Sequence, residues 1–312
     1  MAGLDLELTE QQALLRDAVA RLANDADRPG WRALAELGLD GLTLPEDHGG
    51  FGGGACDLAL VMVQLGPVLA GAEWLGHAAA IAVLGQGNVR AALVSETTSA
   101  ALPQVENGNR IEGTARLVAG GAEADLFVVA LGGALFTVAR DAPGLVVEPG
   151  QLHDGSAVAD LHFAGVVATP LTGDPATADH LVRIGRCAEA VGLMQQMLAD
   201  TADYLGQRRQ FGAPIASFQA LRHRLADMQL QALQAQALTE AAAVSGEGSD
   251  ILAACIAVRD AAKQVGEGAV QLHGAMGLTE ELQLGARFKR LLVIAAGLGS
   301  EAGLLDEFAA AA

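Results

Sequence analysis

Arg208, Arg209, Gln210 and Phe211 stand consecutively before Gly212 and Pro214, in the stretch RRQFGAPIASFQALRHRLADM. A guanidinium offers a planar fork of donors that suits a pyrophosphate, and an aromatic ring offers a face for stacking on a flat ligand. Gly212 and Pro214 predict a turn between two helices, which would hold these groups together at one point. Arginines at a helix end also favour its dipole without any ligand, and that reading suffices for Arg209.

Other chemistry-bearing patterns are weaker. HGGFGGG, residues 48–54, has the glycine content of a phosphate-cradling loop. A helix and an LPED turn precede it where a dinucleotide fingerprint needs a strand, so a flexible connection is expected. The seven histidines show no metal-ligand spacing and no HExxH pair, and no metal is expected. No GxSxG elbow supports serine hydrolysis. Glu280 and Glu281 read as caps of a final helix.

Composition narrows the classes further. The formal net charge of -18 gives no basic field for nucleic acid or anionic lipid. Cys56, Cys187 and Cys255 are far apart, without a CxxC pair, and read as reduced thiols of a cytoplasmic protein. The opening MAGLDLELTEQQ is acidic where a signal peptide is basic and apolar. The longest uncharged run of the middle region, residues 126–139, is too short and glycine-broken for a membrane span.

Three zones must position the arginine turn. Residues 1–95 predict a helical module, opened by a Thr9/Gln12 capping box and continued by short helices near WRALAELG and over residues 57–69. Residues 96–172 switch to short β-like runs, RIEGTARLV, DLFVVAL, ALFTVAR, GLVVEPG and VADLHFAGVV, expected as a small antiparallel sheet domain. Residues 173–312 return to a 3.6-residue period and predict a four-helix bundle, with Asp250 as the N-cap of its third helix. The fold class is therefore mainly α with a small β domain.

The pattern Tyr204…Arg208-x-Gln210-Phe211-Gly212-x-Pro214-Ile215…Phe218-Gln219…Leu225-Ala226-Asp227-Met228 resembles the signature of the acyl-CoA dehydrogenase family. LTEQQALLRD, LAELGLDGLTLPEDHGGFGGG and QLHGAMGLTEE resemble further family segments in the same order, so the likeness covers nearly the whole chain. The resemblance implies FAD, an acyl-CoA thioester and α,β-dehydrogenation, with electron-transfer flavoprotein as acceptor. It also implies that Arg208, Gln210 and Phe211 grip the adenosine diphosphate of an FAD held by a neighbouring subunit. Gln271, Gly274 and Gly277 join them from the loop after the third bundle helix.

Two departures qualify the resemblance. The family's Thr-Glu-Pro-Gly-x-Gly-Ser-Asp loop, which contacts flavin and substrate, is replaced by VSETTSAALPQV at residues 94–105. The family's catalytic glutamate is missing from both its usual places, where this chain has Val182, followed by Arg183, and Ala296, followed by Gly297. No neutral side chain serves as general base. Glu189, roughly 10 Å further along the helix from Val182, is the nearest substitute carboxylate, with a solvated or interface role as its plainer reading. The leading expectation is one subunit of an α2β2-like heterotetramer whose homologous partner completes the flavin site, as in short members acting on steroid side-chain CoA esters. The alternatives are a non-catalytic partner subunit and a self-sufficient homo-oligomeric dehydrogenase using Glu189.

Overall fold

The structure is a computed structural model that describes residues 3–4, 6–25, 28–106, 108–278 and 282–311. The chain separates into two compact units. One comprises Met1–Ala20, Ala59–Leu69 and Arg186–Ala312; the other comprises Arg21–Leu58 and Ala70–Gly185.

Four helices precede the sheets: α1 Glu10–Asp25, α2 Trp31–Glu36, α3 Ala55–Leu65 and α4 Gly71–Leu84. The expected capping box opens α1. The Gln12 amide donates to Thr9 Oγ1 at 3.2 Å, and the Thr9 amide donates to Gln12 Oε1 at 3.1 Å.

The sheet-bearing unit holds β1 Ala91–Val94, β2 Gln104–Glu106, β3 Arg110–Ala119, β4 Leu126–Leu131, β5 Ala134–Ala139, β6 Leu145–Gln151, β7 Ala157–Val167 and β8 Thr169–Leu171. They form two four-stranded sheets, ordered β1-β4-β5-β8 and β2-β3-β7-β6. All five expected β runs are strands. Within residues 96–172 every pair is antiparallel, as expected; β1, from the stretch expected to be helical, adds one parallel pair with β4. Ile111, Phe127, Val129, Leu161 and Phe163 build the core of this unit, alternating with exposed residues along the longer strands.

His77 on α4 is buried and ties helix to sheet. Its Nδ1 accepts from the Ala91 amide at 3.1 Å, so Nε2 carries the proton donated to the Asp40 carbonyl at 2.8 Å. Burial pushes its pKa below the ordinary value of 6.5. The glycine run expected as a flexible connection is instead fixed. Gly52 and Gly53 amides donate to the Leu44 and Leu42 carbonyls, each at 2.8 Å, and a side chain at Gly50 would overlap the Leu44 backbone.

The bundle is built from α5 Pro175–Gln207, α6 Gln219–Ser245, α7 Gly248–His273 and α8 Leu284–Gly297. A fifth helix, α9 Glu301–Ala311, also packs on α7 and was not anticipated. Close packing of α3 on α5 depends on Gly66 and Gly192, where a Cβ would strike the Glu189 and Val63 carbonyls. Asp250 is not the N-cap of α7; Glu247 is, and Asp250 lies in the first turn, where its charge favours the dipole. Glu280 and Glu281 lie outside the described residues. Among the described residues no helix is long and apolar enough to cross a membrane. No group of three or more His, Cys, Asp or Glu among them could hold a metal ion.

Candidate functional site

The arginine turn is a two-residue β-hairpin. Its strands are β9 Arg209–Gln210 and β10 Ala213–Pro214, with Gln210 opposite Ala213 and Arg209 opposite Pro214. The loop residues Phe211 and Gly212 have φ of +52° and +82°, as a type I′ turn requires at both central positions. Asparagine or glycine commonly fills the first position. Phenylalanine there costs about 1 kcal/mol or more of backbone strain.

Burial does not offset that strain, since Phe211 is 91% exposed, with the Phe218 ring edge-on at 6.0 Å. The hairpin itself is rigid. The Ile215 amide donates to the Arg208 carbonyl at 2.8 Å, and buried Ile215 anchors the return strand. Arg208 and Gln210 are exposed, and their side chains make no hydrogen bond or ion pair with the described residues. Arg209 reaches its own turn through the Gly212 carbonyl at 3.4 Å, in keeping with its plainer structural reading.

The second group of expected cofactor residues lies at the end of α7, which the structure joins to the hairpin. Tyr204, one turn before Arg208, stacks on His273 with ring centroids 4.4 Å apart and donates to the His273 carbonyl at 3.3 Å. Gln271 is exposed and accepts from Arg224, one turn into α6, at 2.5 Å. Arg224 and His273 have no role in the sequence reading, although the first stands inside the quoted arginine stretch and the second inside QLHGAMG, and Tyr204 enters it only as part of the family-like pattern. Gly274, at φ +61° and ψ -140°, takes a conformation only glycine adopts readily. Gly277 packs the following turn onto α7, since its Cβ would lie 2.8 Å from the Val270 carbonyl oxygen.

Beneath this end lies a cavity of about 380 Å3, lined by Asp200, Asp203, Tyr204, Gln207, His273 and Arg287 among others. Its arginine is already engaged, pairing with Asp200 at 2.6 Å. A diphosphate therefore fits the outer hairpin surface better than this acidic cavity.

The expected catalytic pair is not brought together. Glu189 and Arg183 are six positions apart on α5, which turns them to different faces. Glu189 is fully buried, and both its carboxylate oxygens accept from Arg290, at 2.7 Å each. Arg183 is partly exposed and engaged within the chain. Desolvation, with Arg290 beside it, holds the Arg186 guanidinium down to about 10, although Arg186 keeps some exposed surface. Arg186 donates to the Gly297 carbonyl at 2.5 Å, and a Cβ on Gly297 would lie 2.9 Å from its guanidinium carbon. The place resembling the family's C-terminal Glu-Gly turn is thus closed by an arginine. Val182, the other such place, is buried and apolar.

The turn replacing the flavin loop is also closed on itself. Ser95 and Thr97 hydroxyls both donate to Asp179 Oδ1, at 2.6 and 2.5 Å. Thr98 Oγ1 accepts from the Ser95 amide at 3.0 Å and donates to the Leu93 carbonyl at 2.7 Å. These hydroxyls are spent inside the chain. The residues present therefore fit the adenosine diphosphate part of FAD and do not fit its isoalloxazine ring.

The acyl-CoA dehydrogenase N-terminal domain matches residues 9–100 and the acyl-CoA dehydrogenase C-terminal domain matches residues 178–312. The chain is 30% identical to the acyl-CoA dehydrogenase IpdE2 of Mycobacterium tuberculosis, over 90% of this chain and 91% of that one. Its fold is similar to a variant of the Tcur3481-Tcur3483 steroid ACAD, with TM-score 0.85, 22% identity and 97% of each chain covered. It is also similar to the ChsE4-ChsE5 complex from M. tuberculosis, with TM-score 0.83, 24% identity and 98% of each chain covered.

Proposed function

Since the chain belongs to the acyl-CoA dehydrogenase family, we propose that it serves as one subunit of a heteromeric, FAD-dependent acyl-CoA dehydrogenase. The observation that carries this reading is the hairpin: a strained, exposed Phe211 between an unpaired Arg208 and Gln210. A turn serving only this chain's fold has no use for that strain. When bound, FAD supplies the acceptor for the hydride that leaves the substrate β-carbon.

Arg208 binds the diphosphate through charge-assisted hydrogen bonds, Gln210 adds a directional contact, and Phe211 covers a flat ring of the cofactor. Gln271, held by Arg224, extends the polar edge, and Gly274 and Gly277 shape the adjoining backbone. The proton on the substrate α-carbon needs a carboxylate that this chain does not offer at Val182 or Ala296. Glu189 is committed to Arg290, so the base comes from the homologous partner subunit, together with the loop beside the reactive ring. The division at residues 95 and 172 belongs to the same proposal: a reduced middle zone leaves that half-site to the partner. An acyl-CoA with a bulky steroid side chain as substrate, electron-transfer flavoprotein as acceptor and a cytoplasmic location complete the reading. The first draws support from the steroid ACAD whose fold this chain shares.

The test is flavin content. FAD should appear at about one per pair of subunits when the chain is produced with its homologous partner, and be absent from the chain alone. Stoichiometric flavin and turnover by the chain alone would instead establish a self-sufficient enzyme. Absence from both preparations would leave a structural subunit.

A further inference from the structure

The acidic cavity of about 380 Å3 beneath the end of α7 keeps bonding capacity that the chain does not use. His273 lines it and is only 5% exposed. Its Nδ1 lies 2.9 Å from the Ala269 carbonyl, which can only accept. Nδ1 therefore carries the proton, and Nε2 of the neutral ring presents a lone pair. None of the described residues bonds to that Nε2, whereas buried polar groups normally find a partner. Asp203 also lines the cavity, and its carboxylate pairs with none of the described residues. The other charges are committed. Asp200 accepts from Gln196 at 2.8 Å and from Arg287 at 2.6 Å, and Arg287 donates further to the Pro67 carbonyl at 2.9 Å. What remains for a ligand is one carboxylate, one imidazole lone pair and the Gln207 amide.

We propose that this cavity binds a primary alkylammonium, a small diamine or polyamine, as a ligand distinct from the cofactor. Two acceptors call for donors, and an ammonium brings three of them together with the positive charge that answers Asp203. The Tyr204 and His273 rings, stacked with centroids 4.4 Å apart, give the cavity an aromatic wall, and aromatic faces attract cations. A metal ion does not suit it, since no group of three or more His, Cys, Asp or Glu among the described residues could hold one. A neutral sugar would satisfy the acceptors and leave the carboxylate charge unanswered. The volume lies in the range of small-ligand sites, and a net charge of -18 concentrates cations around the chain. The amine bridges Asp203 and Gln207 on α5 to His273 on α7 and uses no residue assigned to FAD.

Calorimetric titration of the full chain with putrescine and with spermidine, without flavin or partner subunit, tests the inference independently of the cofactor reading. At about 0.15 M salt, where loosely held charges are screened, one amine should bind per chain, saturably and below millimolar concentration. Asp203→Asn should weaken binding roughly tenfold or more, with unchanged circular dichroism because Asp203 is exposed. His273→Phe keeps an aromatic ring against Tyr204, removes the Nε2 acceptor and should weaken binding as well. Should that buried change unfold the chain, Asp203→Asn decides alone. Absence of saturable binding overturns the proposal, as does binding indifferent to Asp203→Asn. Ribose bound as tightly as putrescine would make this a sugar site, and Mg2+ displacing putrescine at equal concentration would reduce it to diffuse charge; either result overturns the amine. Binding to the chain alone that vanishes on adding the homologous subunit would assign the cavity to a side chain of that subunit and also overturn it.

Discussion

Two turns of this molecule are rich in polar side chains, and they treat them in opposite ways. At Ser95–Thr98 the hydroxyls point back into the chain, those of Ser95 and Thr97 onto Asp179 and that of Thr98 onto the Leu93 carbonyl. At Arg208–Pro214 the backbone is closed by its own hydrogen bonds while Arg208, Gln210 and Phe211 are left facing outward. The same contrast separates two arginines of one unit: Arg290 is spent on Glu189, and the Arg208 side chain bonds to none of the described residues. Residue type therefore does not mark a site. A polar group signals a ligand when the fold holds it in place and leaves its bonding capacity unused, as buried polar groups normally do not.

The sharpest way to break this contrast is Glu189→Gln. With the carboxylate gone, Arg186 and Arg290 face one another without compensation, and stability should fall by about 3–5 kcal/mol. Urea unfolding reads that loss directly. Undiminished stability with abolished turnover would return the catalytic role to Glu189. Arg208→Ala should do the reverse, leaving the unfolding midpoint in place while lowering FAD affinity of the joint complex roughly tenfold to a hundredfold, as for one charge-assisted hydrogen bond. Flavin retention on gel filtration checks it.

Asp179→Ala removes the acceptor of two hydroxyls and should cost about 2 kcal/mol, with Arg208-dependent binding unaffected. Phe211→Gly should stabilise the chain by about 1 kcal/mol by relieving the left-handed backbone, and weaken FAD binding at the same time. A destabilised glycine variant would mean that Phe211 serves the fold. The smallest expected effect is on pH. His77 is held neutral below its ordinary pKa of 6.5, so the unfolded chain binds a proton that the folded chain refuses. Its contribution is complete above pH 6.5 and is lost as pH falls below that value. The urea midpoint should decline there in the native protein and decline less in His77→Gln.

Much of the fold was legible locally. The Thr9/Gln12 cap joins residues three apart, and each of the five β runs declares itself within its own length, by β-branched or aromatic residues bounded by Gly, Asp or Pro. α9 escaped because its alanine-rich ending resembles a tail, and β1 because AALV is short and carries a single β-branched residue. The glycine strap at residues 48–54 was misread for a related reason. Glycine content marks both flexible loops and tightly packed backbone, and only the approach of Leu42 and Leu44 distinguishes them.

By itself, then, the sequence determined most elements, the α1 cap, the arginine-aromatic turn and the family resemblance, because each is written in neighbours a few residues apart. Tertiary structure alone decided what the ionisable groups do. Glu189 finds Arg290 at a separation of 101 residues, and Asp179 finds Ser95 at a separation of 84. Burial and pairing are properties of what the fold brings alongside, and no local periodicity encodes them.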